Sequence, residues 1–392
     1  MWVQMGAIFT GIVIMKVVCK TPRRQRFGIL ILLVCCMLIC QATAQDPLVL
    51  ETRSSRVTVA RAGGGLIEFR LRDHELNPLN WRITPDLEPP VAAGKPYLQG
   101  HFLCLDRWGP PTEAEQKQGM PFHGEAPRVM WQVQDKPEQR DGSVFARMGC
   151  RLPLAGLKVQ RALSLGGSAL LVKEHVTNIN PRGRIYNWVQ HPSIAPPFLE
   201  NETLVDSNAQ RGFSQESPIP TGQQEASEWP AVQIKSQQVN LRRFVDDGED
   251  GHDVSSFVFS DTAMLGWVTA SNQKAGLLIG YVWKTDDYPW LNIWRYRHDG
   301  KVAARGLEFG TTGYHQPFPA LVREQSILGR SLFEYIDTGE TITKSYVVFM
   351  TKLPADFLGV ARLQYQDQAI RILERGNNDP RHLVVAVKYW LD

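Results

Sequence analysis

Cysteine is scarce beyond the first 44 residues of the chain, and this limits the chemistry the protein can use. Four of the six cysteines lie at positions 19, 35, 36 and 40, so only Cys104 and Cys150 follow them. In an oxidising compartment these two could form one disulfide, or they could remain two buried thiols. The sequence has no CxxC motif. It therefore gives no support to a structural zinc site or a thioredoxin-like redox site.

Several common catalytic motifs are also missing. The sequence contains no GxSxG, GxxxxGK[ST], HExxH or GxGxxG pattern. Serine hydrolases, P-loop nucleotide hydrolases, zinc peptidases and dinucleotide-binding domains thus lose their usual signatures. The acidic run at 246–253 lacks the alternating spacing of a calcium-binding loop, so we interpret it as a solvated turn.

Acidic residues are absent from residues 1–44, which carry five basic ones. The basic segment KTPRRQR precedes an apolar run at 27–40, and residues 42–44 then form an A-x-A cleavage pattern. The apolar run has about 14 residues, whereas a membrane-spanning helix needs about 20. We predict that residues 1–44 are a signal peptide for export to the periplasm or the extracellular space. An uncleaved N-terminal membrane anchor is the alternative.

The remainder of the chain, residues 45–392, is close to neutral once the basic leader is set aside. The whole chain has a formal charge of +3, with 43% hydrophobic and 21% charged residues. This composition is typical of a globular protein, and no basic cluster in the body indicates a nucleic-acid partner. We expect a monomer or homodimer that contacts a membrane only through the N-terminal segment, if that segment is retained.

Short runs rich in β-branched and aromatic residues recur along the body, separated by Gly, Pro, Asn and Asp. The runs lie at 56–62, 65–72, 128–134, 143–152, 157–165, 169–179, 255–260, 264–270, 276–283, 290–296 and 344–353. Many of them alternate polar and apolar residues, which is typical of half-buried strands. The pattern predicts an all-β fold, a large antiparallel β-sandwich with a few short helices, as one domain over residues 45–392.

Two segments depart from this pattern. Residues 196–230 are rich in Pro, Ser and Gln, which predicts a long loop. Residues 355–375 place apolar residues near a 3.6-residue period and end at Gly376. That spacing predicts an amphipathic helix packed on the sheet.

Four stretches combine titratable side chains with aromatic ones. They are HFLCLDRWGPP with Arg107, GMPFHGEAPR with His123 and Glu125, YNWVQHPSIAPPF with His191, and GLEFGTTGYHQPF with Glu308. Glu308 lies between two apolar residues in what we predict is a turn, so its carboxylate must be exposed or paired. Partial burial would raise its pKa. Taken alone, each stretch also fits an ordinary structural role.

Taken together, these stretches resemble the galactose mutarotase-like superfamily, which includes the aldose 1-epimerases. The match runs in order over most of residues 50–350. It begins with the strand pair RVTVARAGGGLIEFRLRD, continues through an arginine-containing loop and a His-Gly element, and reaches EHVTNINP, the histidine strand and a late glutamate. The VTN…H unit and the late glutamate are its most specific parts.

The resemblance implies an isomerase that interconverts the anomers of a sugar or sugar derivative without a metal or organic cofactor. It gives Glu308 the role of general base at the anomeric hydroxyl and His191 that of general acid at the ring oxygen. His123 corresponds to a second, sugar-binding histidine. Arg107 corresponds to the substrate-binding arginine, although it precedes His123 more closely than is usual in the family. A carboxylate and an imidazole also suit this chemistry on general grounds, because both can be tuned towards neutral pH by burial.

The remaining substrate contacts are less specific in the sequence. Asp247 is our candidate for the substrate-binding aspartate, with Asp261 as the alternative. Trp294 is one of ten tryptophans in the body that could stack on a sugar, although most of them are expected in the core. Glu125 could orient His123.

Two other functions remain open at this stage. The first is a carbohydrate-binding protein of the same fold that does not turn its ligand over. The second is a glycoside hydrolase or polysaccharide lyase, for which Glu125 is the nearest candidate for a second carboxylate beside Glu308. The three hypotheses, an isomerase, a binding protein and a hydrolase or lyase, all depend on whether His123, His191 and Glu308 line one cavity.

Overall fold

The computed structural model describes residues 46–88, 96–244, 250–376 and 381–391. The predicted leader, residues 1–44, lies outside the described residues, and so does Asp247. In the part that is described, no helix has the length and apolar character needed to cross a membrane.

Antiparallel strands make up most of the described chain. In chain order they are β1 (Leu48–Glu51), β2 (Ser55–Val59), β3 (Leu66–Leu71), β4 (His101–Asp106), β5 (Gln132–Arg140), β6 (Ser143–Leu152), β7 (Leu157–Gly166), β8 (Ala169–Asn178), β9 (Arg184–Ile194), β10 (Leu204–Ser207), β11 (Arg211–Ser214), β12 (Ser227–Glu228), β13 (Ala231–Ile234), β14 (Gln237–Asn240), β15 (Gly251–Val258), β16 (Leu265–Asn272), β17 (Leu277–Lys284), β18 (Trp290–His298), β19 (Lys301–Gly310), β20 (Ser326–Ile327), β21 (Arg330–Ser331), β22 (Glu334–Ile336), β23 (Thr341–Lys352), β24 (Val360–Gln366), β25 (Ala369–Glu374) and β26 (His382–Ala386). Two short helices accompany them in the described ranges, α1 (Glu113–Lys117) and α2 (Phe318–Glu324). The prediction of an all-β sandwich with a few short helices is confirmed.

Two large sheets form the sandwich. The larger has eleven strands in the order β1-β2-β3-β4-β9-β19-β18-β15-β11-β12, and β22 pairs with the beginning of β9. The smaller has eight strands in the order β10-β16-β17-β23-β8-β7-β6-β5. β9 and β19 lie side by side in the middle of the larger sheet, although β10 to β18 separate them in sequence.

The main hydrophobic core lies between these sheets. Leu103, Trp188 and Phe309 enter it from the larger sheet, and Val172 and Tyr281 enter it from the smaller one; all five are fully buried. Successive side chains of a strand point to opposite faces. The residues of β4, β9 and β19 that alternate with these core positions therefore face the outer surface of the larger sheet.

A buried ion pair of the smaller sheet is hydrogen-bonded through the core to the larger sheet. Arg161 of β7 donates from Nε to Oε1 of Glu174 on β8 at 2.6 Å, and both side chains are 1% exposed. The other carboxylate oxygen accepts hydrogen bonds from Gln190 at 2.6 Å and from the indole of Trp188 at 3.2 Å. Gln190 and Trp188 belong to β9, so the smaller sheet is tied to the strand that carries His191.

The segment predicted as a helix at 355–375 is instead part of a three-stranded sheet formed by β24, β25 and β26. Asp367 and Gln368 have φ angles of 54° and 56°, which make the tight turn between β24 and β25. The prediction was wrong because apolar residues such as Leu363, Ile370 and Ile372 match a helical and a strand period about equally over so short a stretch.

The segment at 196–230 is also more regular than predicted. It contains β10, β11 and β12. β10 pairs with β16 in the smaller sheet, and β11 pairs with β15 in the larger one. The prediction of one long loop was wrong because strands of two to four residues leave too little alternation to be recognised.

Cys104 and Cys150 are both buried, and neither forms a disulfide. Of the two alternatives that the sequence left open, the structure shows two buried thiols. Burial raises the pKa of each thiol, so neither has the character of a reactive thiolate.

Candidate functional site

A cavity of about 250 Å³ opens on the outer face of the larger sheet. It lies over β9 and β19, which carry His191 and Glu308, and His123 lines it from the loop after α1. The structure thus brings together the three residues that the sequence analysis selected for acid–base chemistry and sugar binding. Aromatic side chains form much of the remaining wall: Trp81, Phe102, Trp108, Phe122 and Trp294.

His191 and Glu308 stand opposite each other on neighbouring strands. Gly306 of β19 pairs with Ser193 of β9, and the same antiparallel register brings position 308 beside position 191. The Nε2 atom of His191 lies 3.1 Å from Oε1 of Glu308. On its other side the ring is held by Ser193, whose Oγ lies 3.0 Å from Nδ1. Glu308 is therefore part of a strand, and the turn predicted for it was wrong.

Burial shifts both members of this pair towards their neutral forms. The side chains of His191 and Glu308 are only 7% and 1% exposed. Loss of hydration raises the pKa of Glu308 well above its usual value, and it lowers the pKa of His191 to about 3. The two shifts agree, because both disfavour an ion pair. Burial therefore favours a protonated carboxyl group and a neutral imidazole, with one proton on their shared hydrogen bond, over an ion pair.

Trp108 and Gly306 position the carboxyl group of Glu308. The indole Nε1 of Trp108 donates a hydrogen bond of 2.7 Å to Oε2. This bond partly opposes the rise in the pKa of Glu308, because it stabilises the ionised carboxylate. A Cβ atom at position 306 would lie 2.6 Å from Oε1. Glycine at this point of the strand leaves the space that the carboxyl group occupies.

Replacing Trp108 with Phe keeps an aromatic ring and removes the hydrogen bond to Glu308. We expect the pKa of Glu308 to rise further, since its carboxylate loses a donor. The carboxyl group then keeps the proton that it shares with His191 up to a higher pH, so the basic limb of the pH–rate profile should move to higher pH. A rise of one unit would raise the rate on the basic limb about tenfold.

The pH–rate profile of the anomer exchange that the resemblance implies, measured for the wild type and Trp108→Phe, checks this expectation. Trp290→Phe is the matched control, because its indole donates to the backbone oxygen of Ser331 outside the cavity. A basic limb that stays in place in Trp108→Phe would contradict the role given to the indole.

His123 has an unusual backbone conformation that fits the His-Gly element of the sequence. Its φ is 65° and that of Gly124 is 77°, a left-handed region that non-glycine residues seldom occupy. A Cβ atom on Gly124 would lie 2.2 Å from the backbone oxygen of Leu105. The Nδ1 atom of His123 accepts a hydrogen bond of 3.1 Å from the N–H of Gly109. In the neutral ring the proton is therefore on Nε2.

Electrostatics keep the ring of His123 neutral. Burial, and next to it the neighbouring ring of His191, lower its pKa well below the usual value. The two imidazole centroids are 5.3 Å apart. His123 is thus a neutral imidazole with an Nε2–H donor beside the pair formed by His191 and Glu308.

Four further polar residues, which the sequence analysis did not select, line the cavity: Glu88, Arg128, His252 and His315. Arg128 forms a two-point ion pair with Glu88 at 2.6 and 2.9 Å. The ring of His315 lies 5.6 Å from that of His123, and burial lowers its pKa to about 4. Arg128 and His315 lie in the same stretches as His123 and Glu308, which was the one available signal for them.

Arg107, the predicted substrate-binding arginine, lies outside the cavity lining. Its guanidinium donates to Asp106 at 2.7 Å and to Glu115 of α1 at 2.6 Å, and its side chain is 5% exposed. Glu115 also forms a capping box with Thr112 at the beginning of α1. Two carboxylates therefore satisfy Arg107 and fasten it to α1, and Arg128 is the arginine that faces the cavity.

Glu125 and Asp261 also lie outside the cavity lining. The carboxylate of Glu125 accepts a hydrogen bond of 2.7 Å from the backbone N–H of Ala155. It does not form the carboxylate pair with Glu308 that a retaining glycosidase would need. Asp261 pairs with Arg330 at the surface.

Trp294 does line the cavity, with its ring centroid 5.9 Å from that of His191. Its face is one of the flat apolar surfaces on which sugar C–H groups can pack. Among the described residues, no group of three or more His, Cys, Asp or Glu side chains is arranged to hold a metal ion.

Fold and cavity together define a β-sandwich protein with a buried histidine–glutamate pair on the outer face of its larger sheet. Solved structures show that this is the galactose mutarotase-like fold, which confirms the predicted resemblance at the level of architecture. No protein-family model matches the sequence, and a search of curated proteins gives no match.

Three similar structures illustrate the likeness. A galactose mutarotase related enzyme from Lactobacillus acidophilus is 10% identical, with a TM-score of 0.55 over 79% of this chain and 98% of that one. A galactose mutarotase-like protein from Clostridium acetobutylicum is 14% identical, with a TM-score of 0.55 over 78% and 95%. A candidate aldose 1-epimerase from Escherichia coli K12 is 15% identical, with a TM-score of 0.53 over 79% and 100%.

Proposed function

We propose that the protein is an aldose 1-epimerase-like isomerase that interconverts the α and β anomers of a free sugar. The contact of 3.1 Å between His191 and Glu308, in a cavity that His123 also lines, carries the proposal. The likeness to a galactose mutarotase related enzyme supports the same class. The absence of Glu125 from the cavity lining weighs against a glycosidase.

The chemistry requires a base and an acid at two oxygens bonded to the same carbon. Glu308 removes the proton of the O1 hydroxyl while His191 gives a proton to the ring oxygen O5, and the C1–O5 bond breaks to leave an open-chain aldehyde. Rotation about C1–C2 turns the other face of the carbonyl towards O5. The reverse transfers then close the ring as the opposite anomer.

The proton balance of this cycle fits a pair that shares one proton. As the sugar oxygens approach, that proton passes from Glu308 to His191 along their hydrogen bond, which makes the carboxylate a base and the imidazolium an acid. Ring opening returns the pair to a neutral carboxyl group and a neutral imidazole, the arrangement that burial favours. The total charge of the pair is the same at every stage.

His123 and the aromatic wall supply binding. The Nε2–H of His123 can donate a hydrogen bond to a sugar oxygen, because its Nδ1 is already occupied by Gly109. The rings of Phe102 and Trp294 both lie beside His191, with centroids 4.2 and 5.9 Å from it. They provide apolar faces for the C–H groups of a pyranose.

Magnetisation-transfer NMR on equilibrated glucose and galactose, or polarimetry on the freshly dissolved sugars, tests the proposal. We expect anomer exchange faster than in buffer alone, in proportion to protein concentration. Binding by calorimetry without any acceleration would favour a non-catalytic carbohydrate-binding protein. Release of reducing ends from a polysaccharide would favour a hydrolase.

A further inference from the structure

We infer that the site prefers a neutral pyranose with a methyl group at C6, a 6-deoxyhexose. This inference rests on the proposed function, because it uses the roles of His191 and Glu308 to orient the sugar. Its basis is a contiguous apolar surface in the cavity lining. Trp81, Leu98, Phe102, Val254 and Trp294 belong to one buried apolar cluster, and Ile83 and Leu87 pack against it.

The apolar wall consists of Trp81, Ile83, Leu87, Leu98 and Val254. The N–H of Ile83 donates to the backbone oxygen of Leu98 at 3.0 Å, so the backbone of this part is already hydrogen-bonded within the protein. Apart from the indole N–H of Trp81, the side chains of the wall have no donor or acceptor. A hydroxyl group pressed against this surface would lose water and gain few hydrogen bonds in return.

The apolar wall is connected to His191 through stacked aromatic rings. Phe102 stacks on the imidazole of His191 with a centroid distance of 4.2 Å, and Trp81 stacks on Phe102 at 6.0 Å. If His191 reaches O5, the neighbouring carbon C5 and its substituent C6 extend along this row of rings towards the apolar wall. A methyl group there buries apolar surface, whereas a hydroxymethyl group buries an oxygen as well.

The charges of the lining favour a neutral sugar. Among the described lining residues Arg128 supplies the guanidinium, and Glu88 balances it through two hydrogen bonds. A uronic acid or sugar phosphate would have to compete with Glu88 for Arg128. The ion pair is better suited to hydroxyl groups, since Arg128 donates hydrogen bonds and Glu88 accepts them.

Matched sugars provide the test. We expect kcat/KM for anomer exchange to be at least about tenfold higher for 6-deoxyglucose than for glucose, and for 6-deoxygalactose than for galactose, which is the effect of one poorly paired buried hydroxyl. Glucuronate should be a poorer substrate than either deoxy sugar. Equal or lower values for the deoxy sugars would overturn the inference and leave the proposed function standing. No exchange with any sugar would remove the proposed function itself.

Two variants of a single residue sharpen the test. Ile83 is only partly buried, so it should tolerate both Ile83→Val and Ile83→Thr, which have side chains of nearly the same shape. The threonine places a hydroxyl group on the apolar wall. We expect the preference for the deoxy sugar to fall several-fold in Ile83→Thr relative to Ile83→Val, with circular dichroism confirming that both fold. The same preference in both variants would show that this wall does not receive C6.

Discussion

Glu308→Gln should slow anomer exchange by about 10² to 10⁴-fold, the usual contribution of one general acid–base group. The amide has nearly the shape of the carboxyl group, and its oxygen can still accept the hydrogen bond from Trp108. It cannot take the proton of the O1 hydroxyl or share one with His191. Because the buried side chain stays neutral, thermal stability should be close to that of the wild type. NMR exchange rates and thermal melting curves on the same samples measure both effects.

Glu125→Gln is the matched control for this substitution. Glu125 is also a buried carboxyl group, with a pKa raised by burial, but it binds the backbone N–H of Ala155 and does not line the cavity. We expect Glu125→Gln to have the wild-type rate of anomer exchange per folded molecule. If Glu308→Gln retained a tenth or more of the wild-type rate, the carboxyl group would not be the base.

Arg161→Met should lower the free energy of unfolding by about 3–5 kcal/mol, the cost of leaving a buried charge without its partner. The methionine has a similar length and fills most of the space of the arginine. It cannot donate to Glu174, whose side chain is 1% exposed. Glu174 would keep its bonds from Gln190 and Trp188, but these neutral donors do not balance its charge. Urea denaturation measures the change.

The double variant Arg161→Met, Glu174→Leu separates the lost ion pair from lost packing. Removing both charges should recover most of the stability, because a hydrophobic pair of similar volume pays no desolvation cost. A double variant as unstable as Arg161→Met alone would mean that the guanidinium acts through its packing against Trp131, 4.3 Å from the ring centroid, and not through Glu174.

The strands of the sandwich could be predicted from the sequence because alternation is a local property. β6, β7 and β8 begin and end within about two residues of the runs identified from the sequence. The turn predicted at Glu308 failed for a reason that is not local. Gly306 and Gly310 read as turn residues, yet Gly306 gives room to the carboxyl group and Gly310 lies against the side chain of Val189 on β9. Both contacts depend on packing, which the sequence does not display.

In the candidate site, too, some residues could be predicted from the sequence and others depended on packing. His123, His191 and Glu308 could be selected because the resemblance fixes their order along the chain. The choice between Arg107 and Arg128 could not be made, because both lie in polar stretches near His123. It depends on where the acidic partners are. Asp106 and Glu115 hold Arg107 away from the cavity, whereas Glu88 holds Arg128 at its wall.

The residues of the cavity come from two kinds of segment, the paired strands and the connections between strands. His191 and Glu308 belong to paired strands, and an inserted residue in either strand would exchange its cavity-facing and core-facing side chains at once. Trp81, His123 and His315 come from connecting segments, which accept insertions and replacements more readily. The lining of the cavity can therefore change through the connecting segments while the His191–Glu308 pair on the strands stays the same.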